Sequence, residues 1–118
     1  MLVCLGCFKP KVEKCRCNKP YIEIDDDIVE IIKILNEKGY ITQYCCAGHV
    51  EREIFQCYIK FANKYNFKTR PKGFKLNDNS YTLENVVFQK RWNNKTKDQK
   101  EDYATKARYN LFKWAMNL

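Results

Sequence analysis

The apolar positions of residues 28–35 fall at Ile28, Ile31, Ile32 and Leu35, the spacing that lines one face of an α-helix. The run Asp25-Asp26-Asp27 opens that helix, because acidic side chains suit the positive end of the helix dipole. Asp27 and Glu30 stand at the capping-box spacing, and Gly39 sits where a glycine ends a helix. The period then changes. Tyr40–Cys46 is β-branched and aromatic and predicts a strand, and Ala47–Glu53 is a connection in which Gly48 supplies the tight conformation. In Ile54–Phe61 the residues Phe55, Cys57, Ile59 and Phe61 alternate onto one face, which completes a β-hairpin packed on the helix. Tyr21–Ile24 alternates briefly and predicts a short edge strand. Ala62–Asn79 is polar and basic, contains Pro71 and Gly73, and reads as a long loop. Leu83–Trp92 predicts a third strand with Val86, Phe88 and Trp92 on one side. A second helix spans roughly Lys97–Asn117, with Thr96 and Gln99 as its capping box. Its stripe is Ala104, Ala107, Leu111, Trp114, Ala115 and Leu118, while Lys100, Lys106 and Lys113 face solvent.

These elements make an α+β protein: an N-terminal zinc knuckle over residues 1–20, then an α+β domain over 21–118. That domain holds a helix, an antiparallel sheet of at least three strands and a C-terminal helix. At 118 residues and 45% hydrophobic content the chain supports one core of modest size. No apolar run approaches the ~20 residues of a spanning helix. Met1–Phe8 holds two cysteines and no long apolar stretch, so the expectation is a cytoplasmic chain without a signal peptide.

Seven cysteines is an odd count, whereas disulfide frameworks of secreted proteins usually have an even one. Closely spaced cysteines in a reducing compartment point to metal. Cys4-x2-Cys7 and Cys15-x-Cys17, seven residues apart, supply the four thiolates of a tetrahedral zinc site. Protein fills all four positions, so the Zn²⁺ is structural. A redox role for Cys4 and Cys7 is disfavoured, because no βαβ pattern surrounds them.

A second group is Cys45, Cys46, His49 and Cys57, and His49 is the single histidine of the chain. Cysteines here pack well as small hydrophobes, with His49 as a polar turn residue. Alternatively, Cys46, His49 and Cys57 bind a ligand or a second metal. Strand alternation lets only one of Cys45 and Cys46 face a given partner, so the ligand count stops at three and a position is left for chemistry. A Cys–His nucleophilic pair is the third reading, although no orienting Asn or Asp stands out nearby.

The run from Lys14 through His49, KCRCNKPYIEIDDDIVEIIKILNEKGYITQYCCAGH, resembles a family of small proteins from low-GC Gram-positive bacteria and their phages. Those share a cysteine-rich start, an acidic-capped helix and a GYxTxxCCxGH segment, and the closing LFKWAMNL of Leu111–Leu118 is similar to their C-terminus. The resemblance covers about half the chain and implies no particular activity. A more distant likeness joins the Cys45–His49 loop to the tRNA wybutosine-synthesis methyltransferase family, in which a strand also ends in a Cys-x-Gly loop, in the form SCSGR. Cys45-Cys46-Ala47-Gly48-His49 departs from that motif at the serines and the arginine, so the likeness implies a site at this loop and not the methyltransferase activity.

Charge separates the two halves of the chain. Residues 1–59 hold eight Lys and Arg against nine Asp and Glu, while residues 60–118 hold fourteen against five. Lys60, Lys64, Lys68, Arg70, Lys72 and Lys75 alternate with Phe61, Tyr65, Phe67 and Phe74, and Lys90-Arg91-Trp92 continues the theme. Cations contact phosphates and aromatic faces stack on unpaired bases, so this half predicts a surface for RNA, DNA or a nucleoprotein complex. The same composition fits an ordinary solvated lysine surface. No RNA-recognition, KH, helix-turn-helix or C2H2 pattern is present. Two further classes remain open: a phage-type inhibitor that blocks a host defence nuclease by protein contact, and a nucleotide- or tRNA-modifying enzyme with its site at the Cys45–His49 loop. With no catalytic set evident, the sequence leans away from an enzyme.

Overall fold

A computed structural model describes residues 1–118. Strand β1 (Leu2–Cys4) pairs antiparallel with β2 (Tyr21–Glu23) in a small ribbon. Helix α1 (Val29–Glu37) follows, then β3 (Thr42–Cys46), β4 (Phe55–Phe61), β5 (Lys75–Asn77) and β6 (Thr82–Val87). A short helix α2 (Gln89–Asn93) leads into the long helix α3 (Lys97–Met116). The four later strands form one antiparallel sheet in the order β3-β4-β6-β5. The α+β class read from the pattern of apolar positions is therefore the observed one. None of the helices is long and apolar enough to cross a membrane.

Phe55, Cys57, Ile59 and Phe61 of β4 are all buried, as their alternation requires. Their partners Val87, Asn85 and Leu83 on β6 are buried beside them, since residues opposite each other in a ladder point to one face. Ile31, Ile32 and Leu35 of α1 and Ala104, Ala107, Leu111, Trp114 and Ala115 of α3 close the core over that face. Val3 and Phe8 of the first twenty residues belong to the same buried cluster.

The helix ends show which local signals hold. Gly39 has φ +92°, and the N–H groups of Gly39 and Tyr40 donate to the carbonyls of Asn36 and Leu35 at 3.0 and 2.9 Å. That is the glycine-terminated end expected of α1. At α3 the Thr96–Gln99 capping box forms in both directions. Lys38 Nζ donates to the carbonyls of Ala115, Met116 and Leu118 at 2.9, 2.7 and 3.1 Å, a cation at the negative end of the helix dipole. The Asp27–Glu30 capping box does not form. Asp26–Ile28 is instead a 3₁₀ turn, and no side chain caps α1.

The third strand is shorter than expected and faces the other way. It ends at Val87, and its inward set is Leu83, Asn85 and Val87, so Val86 and Phe88 point away and Phe88 is 69% exposed. The alternation misleads because a polar residue occupies the core-facing row: Asn85 is buried and Tyr103 Oη–H donates to its Oδ1 at 2.9 Å. Trp92 lies on α2, fully buried, with its Nε1–H donating to the Val50 carbonyl at 3.3 Å. Within Ala62–Asn79 the structure adds strand β5, three residues long and too polar to show a period.

Candidate functional site

The tetracysteine group is assembled by β1 and the two turns that follow it. Cys4 ends β1, Cys7 lies in the next turn, and the Lys11–Glu13 3₁₀ turn returns the chain so that Cys15 and Cys17 meet the first pair. Phe8, Lys14 and Asn18 adopt positive φ of 60°, 45° and 51°, which lets the chain reverse within so few residues. Gly6 N–H points at Cys4 Sγ at 3.3 Å, and a Cβ on Gly6 would lie 3.0 Å from the Cys17 Cβ. The glycine thus leaves space for the second arm. All four Sγ atoms lie within 4.8 Å of one another, and ligands ~2.3 Å from one tetrahedral ion are ~3.8 Å apart. These four side chains can hold a metal ion. The backbone N–H groups of Cys7 and Gly6 lower the Cys4 thiol to about 7, against desolvation that opposes them. Cys17 is pushed up to about 12, first by hydrogen bonds with the Cys7 and Cys15 thiols. Four sulfurs so close together share protons that a central cation replaces.

At the Cys45–His49 loop, strand register divides the cysteines. Cys45 stands opposite Ile59, on the core side with Cys57, while Cys46 stands opposite Tyr58. Burial pushes Cys45 up to about 11 and Cys57 to about 12. Cys57 is a fully buried core thiol, so the set Cys46, His49 and Cys57 is not brought together. Asp25 takes the third place instead. One ligand atom each from Asp25, Cys46 and His49 lie within 4.8 Å of one another, with Asp25 Oδ2 3.3 Å from His49 Nε2. Asp25 Oδ2 also accepts from the Ala47 N–H at 2.9 Å.

The loop is held from both sides. Arg108 of α3 donates from Nη1 to the carbonyls of Ala47 and Gly48 at 3.1 and 3.4 Å. Gly48 has φ +89°, and a Cβ there would lie 2.4 Å from Phe55 Cε1. The Cys–His nucleophilic pair is not supported by this arrangement. His49 Nε2 lies 3.3 Å from Asp25 Oδ2 and Nδ1 lies 3.7 Å from a Glu51 oxygen, so both nitrogens face carboxylates. Burial moreover raises Cys46, whereas a nucleophilic thiol needs a lowered value. Neither Asp25 nor Arg108 has a local signal in the sequence: both come to the loop from distant elements.

The basic residues divide in a similar way from the aromatics among them. Lys64, Lys68, Arg70, Lys72, Lys75, Lys90 and Arg91 are exposed, and Lys60 is half-buried with its Nζ 5.8 Å from the Tyr44 ring centre. The aromatics turn inward. Phe61 and Phe74 are buried, and Tyr65 and Phe67 pack with Tyr40, Phe61 and Trp114 at centroid distances of 5.0–6.0 Å. Trp92, expected to stack on a base, is enclosed between Phe55 and Tyr103. What remains outside is charge. Arg91, Lys95 and Lys106 line a cleft of about 520 Å³ with Asn94, Gln99, Asp102 and Tyr103. Tyr103 and Lys106 also line a recess of about 210 Å³ that contains Lys72, so the two are neighbours. Lys106 pairs with Asp102 at 2.9 Å, and no other Lys or Arg of residues 60–118 has a carboxylate within ion-pair distance.

No protein family, curated protein or solved structure matches this chain.

Proposed function

We propose that this is a zinc-stapled, non-enzymatic nucleic-acid-binding protein that grips the phosphate backbone along the cleft running from Lys72 through Lys106 and Lys95 to Arg91. The observation that carries the reading is that two neighbouring recesses, sharing Tyr103 and Lys106, hold one carboxylate, Asp102, against four cations. Four thiolates are the donor set of Zn²⁺, and a closed shell makes that ion a staple for the fold. Because Phe61, Tyr65, Phe67, Phe74 and Trp92 pack inward, contact along this cleft is through phosphates, with a steep dependence on salt.

The test is binding of the metal-loaded protein to mixed single- and double-stranded RNA and DNA at several salt concentrations. Four phosphate contacts give a slope of log affinity against log salt of about −3 to −4. Changing Lys72, Arg91, Lys95 and Lys106 together to Gln should abolish binding, and each single change should reduce the slope by about one. Undiminished binding by the quadruple variant, or no wild-type binding near physiological salt, would overturn the reading.

A further inference from the structure

We propose that Asp25, Cys46 and His49 form a second metal site, distinct from the tetracysteine group, which binds one zinc-class ion and leaves one coordination position for an exchangeable ligand. The three donors come from different parts of the chain: the turn before α1, the end of β3 and the loop after it. Two ligands each ~2.0 Å from one tetrahedral ion stand ~3.3 Å apart, and Asp25 Oδ2 and His49 Nε2 are 3.3 Å apart. A thiolate, an imidazole and a carboxylate suit zinc and its neighbours, whereas calcium and magnesium take oxygen ligands.

The surroundings position the donors before any ion arrives. The Ala47 N–H fixes the Asp25 carboxylate, and Arg108 fixes the Ala47 and Gly48 carbonyls between Cys46 and His49. With Nε2 on the metal, Nδ1 has Glu51 3.7 Å away, near enough for a small side-chain shift to supply the outer carboxylate that orients metal-bound histidines. One carboxylate and one thiolate balance the charge of a divalent ion. His49 opens onto a cleft of about 350 Å³ lined by Asp27, Glu51, Glu101 and Arg108, through which a water or a small neutral donor can reach the fourth position. Three protein ligands leave one exchangeable position for a bound ligand, in contrast to the closed tetracysteine site.

The test is metal stoichiometry after reconstitution of the full chain with Co²⁺. Wild type should take up two ions per chain. His49→Ala and, separately, Asp25→Asn should take up one while retaining the cobalt–thiolate absorption of the tetracysteine site and a cooperative thermal transition. His49→Gln serves if His49→Ala folds poorly. Added imidazole should shift the cobalt d–d bands of wild type and leave those of His49→Ala unchanged. One ion per wild-type chain, or two in the His49 and Asp25 variants, overturns the site. An unshifted wild-type spectrum overturns its open position.

Discussion

Gly48 and Gly39 both have positive φ, but their surroundings differ. A Cβ at Gly39 would meet nothing within 4 Å, whereas one at Gly48 would strike the Phe55 ring. Gly39→Ala should therefore cost about 1–2 kcal/mol, the expense of a left-handed backbone alone. Gly48→Ala adds a clash with a buried aromatic and should cost about 3 kcal/mol or more. Urea denaturation of the two variants checks the ranking, and equal costs would mean that Phe55 yields freely. Cys57 sets a pH dependence. Burial, partly offset by Arg108, raises its thiol from the ordinary 9.0 to about 12. The neutral thiol is the form the fold accepts, so this contribution to stability is complete below pH ~9 and is lost as pH rises toward ~12. The stability gap between wild type and Cys57→Ala should then narrow between about pH 8 and about pH 10.5. A gap that stays constant would show that the thiol ionises as readily folded as unfolded.

Strand β6 and helix α3 meet through one buried polar link, the Tyr103 hydroxyl on Asn85. Tyr103→Phe removes the donor and leaves the Asn85 oxygen buried without a partner, which should cost about 1–3 kcal/mol. Asn85→Leu in the same chain should recover much of that loss, and chemical denaturation of the single and double variants measures it. No recovery would mean that Asn85 stabilises through packing. The same link explains where sequence reading succeeded and where it stopped. The face of α1, its Gly39 end and the Thr96–Gln99 box are short-range patterns, and each appears as expected. The facing of β6 was not legible, because Asn85 is acceptable in the core only through a partner on another element. Aromatics interleaved with lysines looked like stacking surfaces, yet their inward packing depends on Tyr40 and Trp114, which lie far along the chain. At the candidate site, Cys46 and His49 share a short motif. Excluding Cys57 required the register of β3 on β4, and Asp25 required the turn before α1 to lie against that loop.

Across the whole molecule, the first twenty residues and the remainder share a core, because Val3 and Phe8 pack in one cluster with Ile24 and the α1 isoleucines. Stripping an ion from the four cysteines should therefore weaken more than the first twenty residues. A chelator, or Cys17→Ser at an exposed ligand, should lower the thermal midpoint by about 5–10 °C, equivalent to a loss of about 2 kcal/mol. An unchanged midpoint would make the knuckle thermodynamically independent of the rest. Helix α3 organises the surface as it does the core. Gln99, Tyr103, Lys106 and Asn110 flank its buried stripe on one side, and Glu101, Thr105 and Arg108 on the other. The first set borders the cleft of Arg91 and Lys95, while the second borders a cleft that also holds Asp27 and Glu51. One rigid rod thus separates a mainly positive bank from one of mixed charge, where Asp27, Glu51 and Glu101 stand beside Arg108, Lys97 and Lys100. A polyanion would be drawn more strongly to the Lys106 bank than to the bank of mixed charge. On the two proposals made above, the two sites lie on opposite flanks of one helix, so a polymer bound at Lys106 would leave the His49 cleft open to solvent.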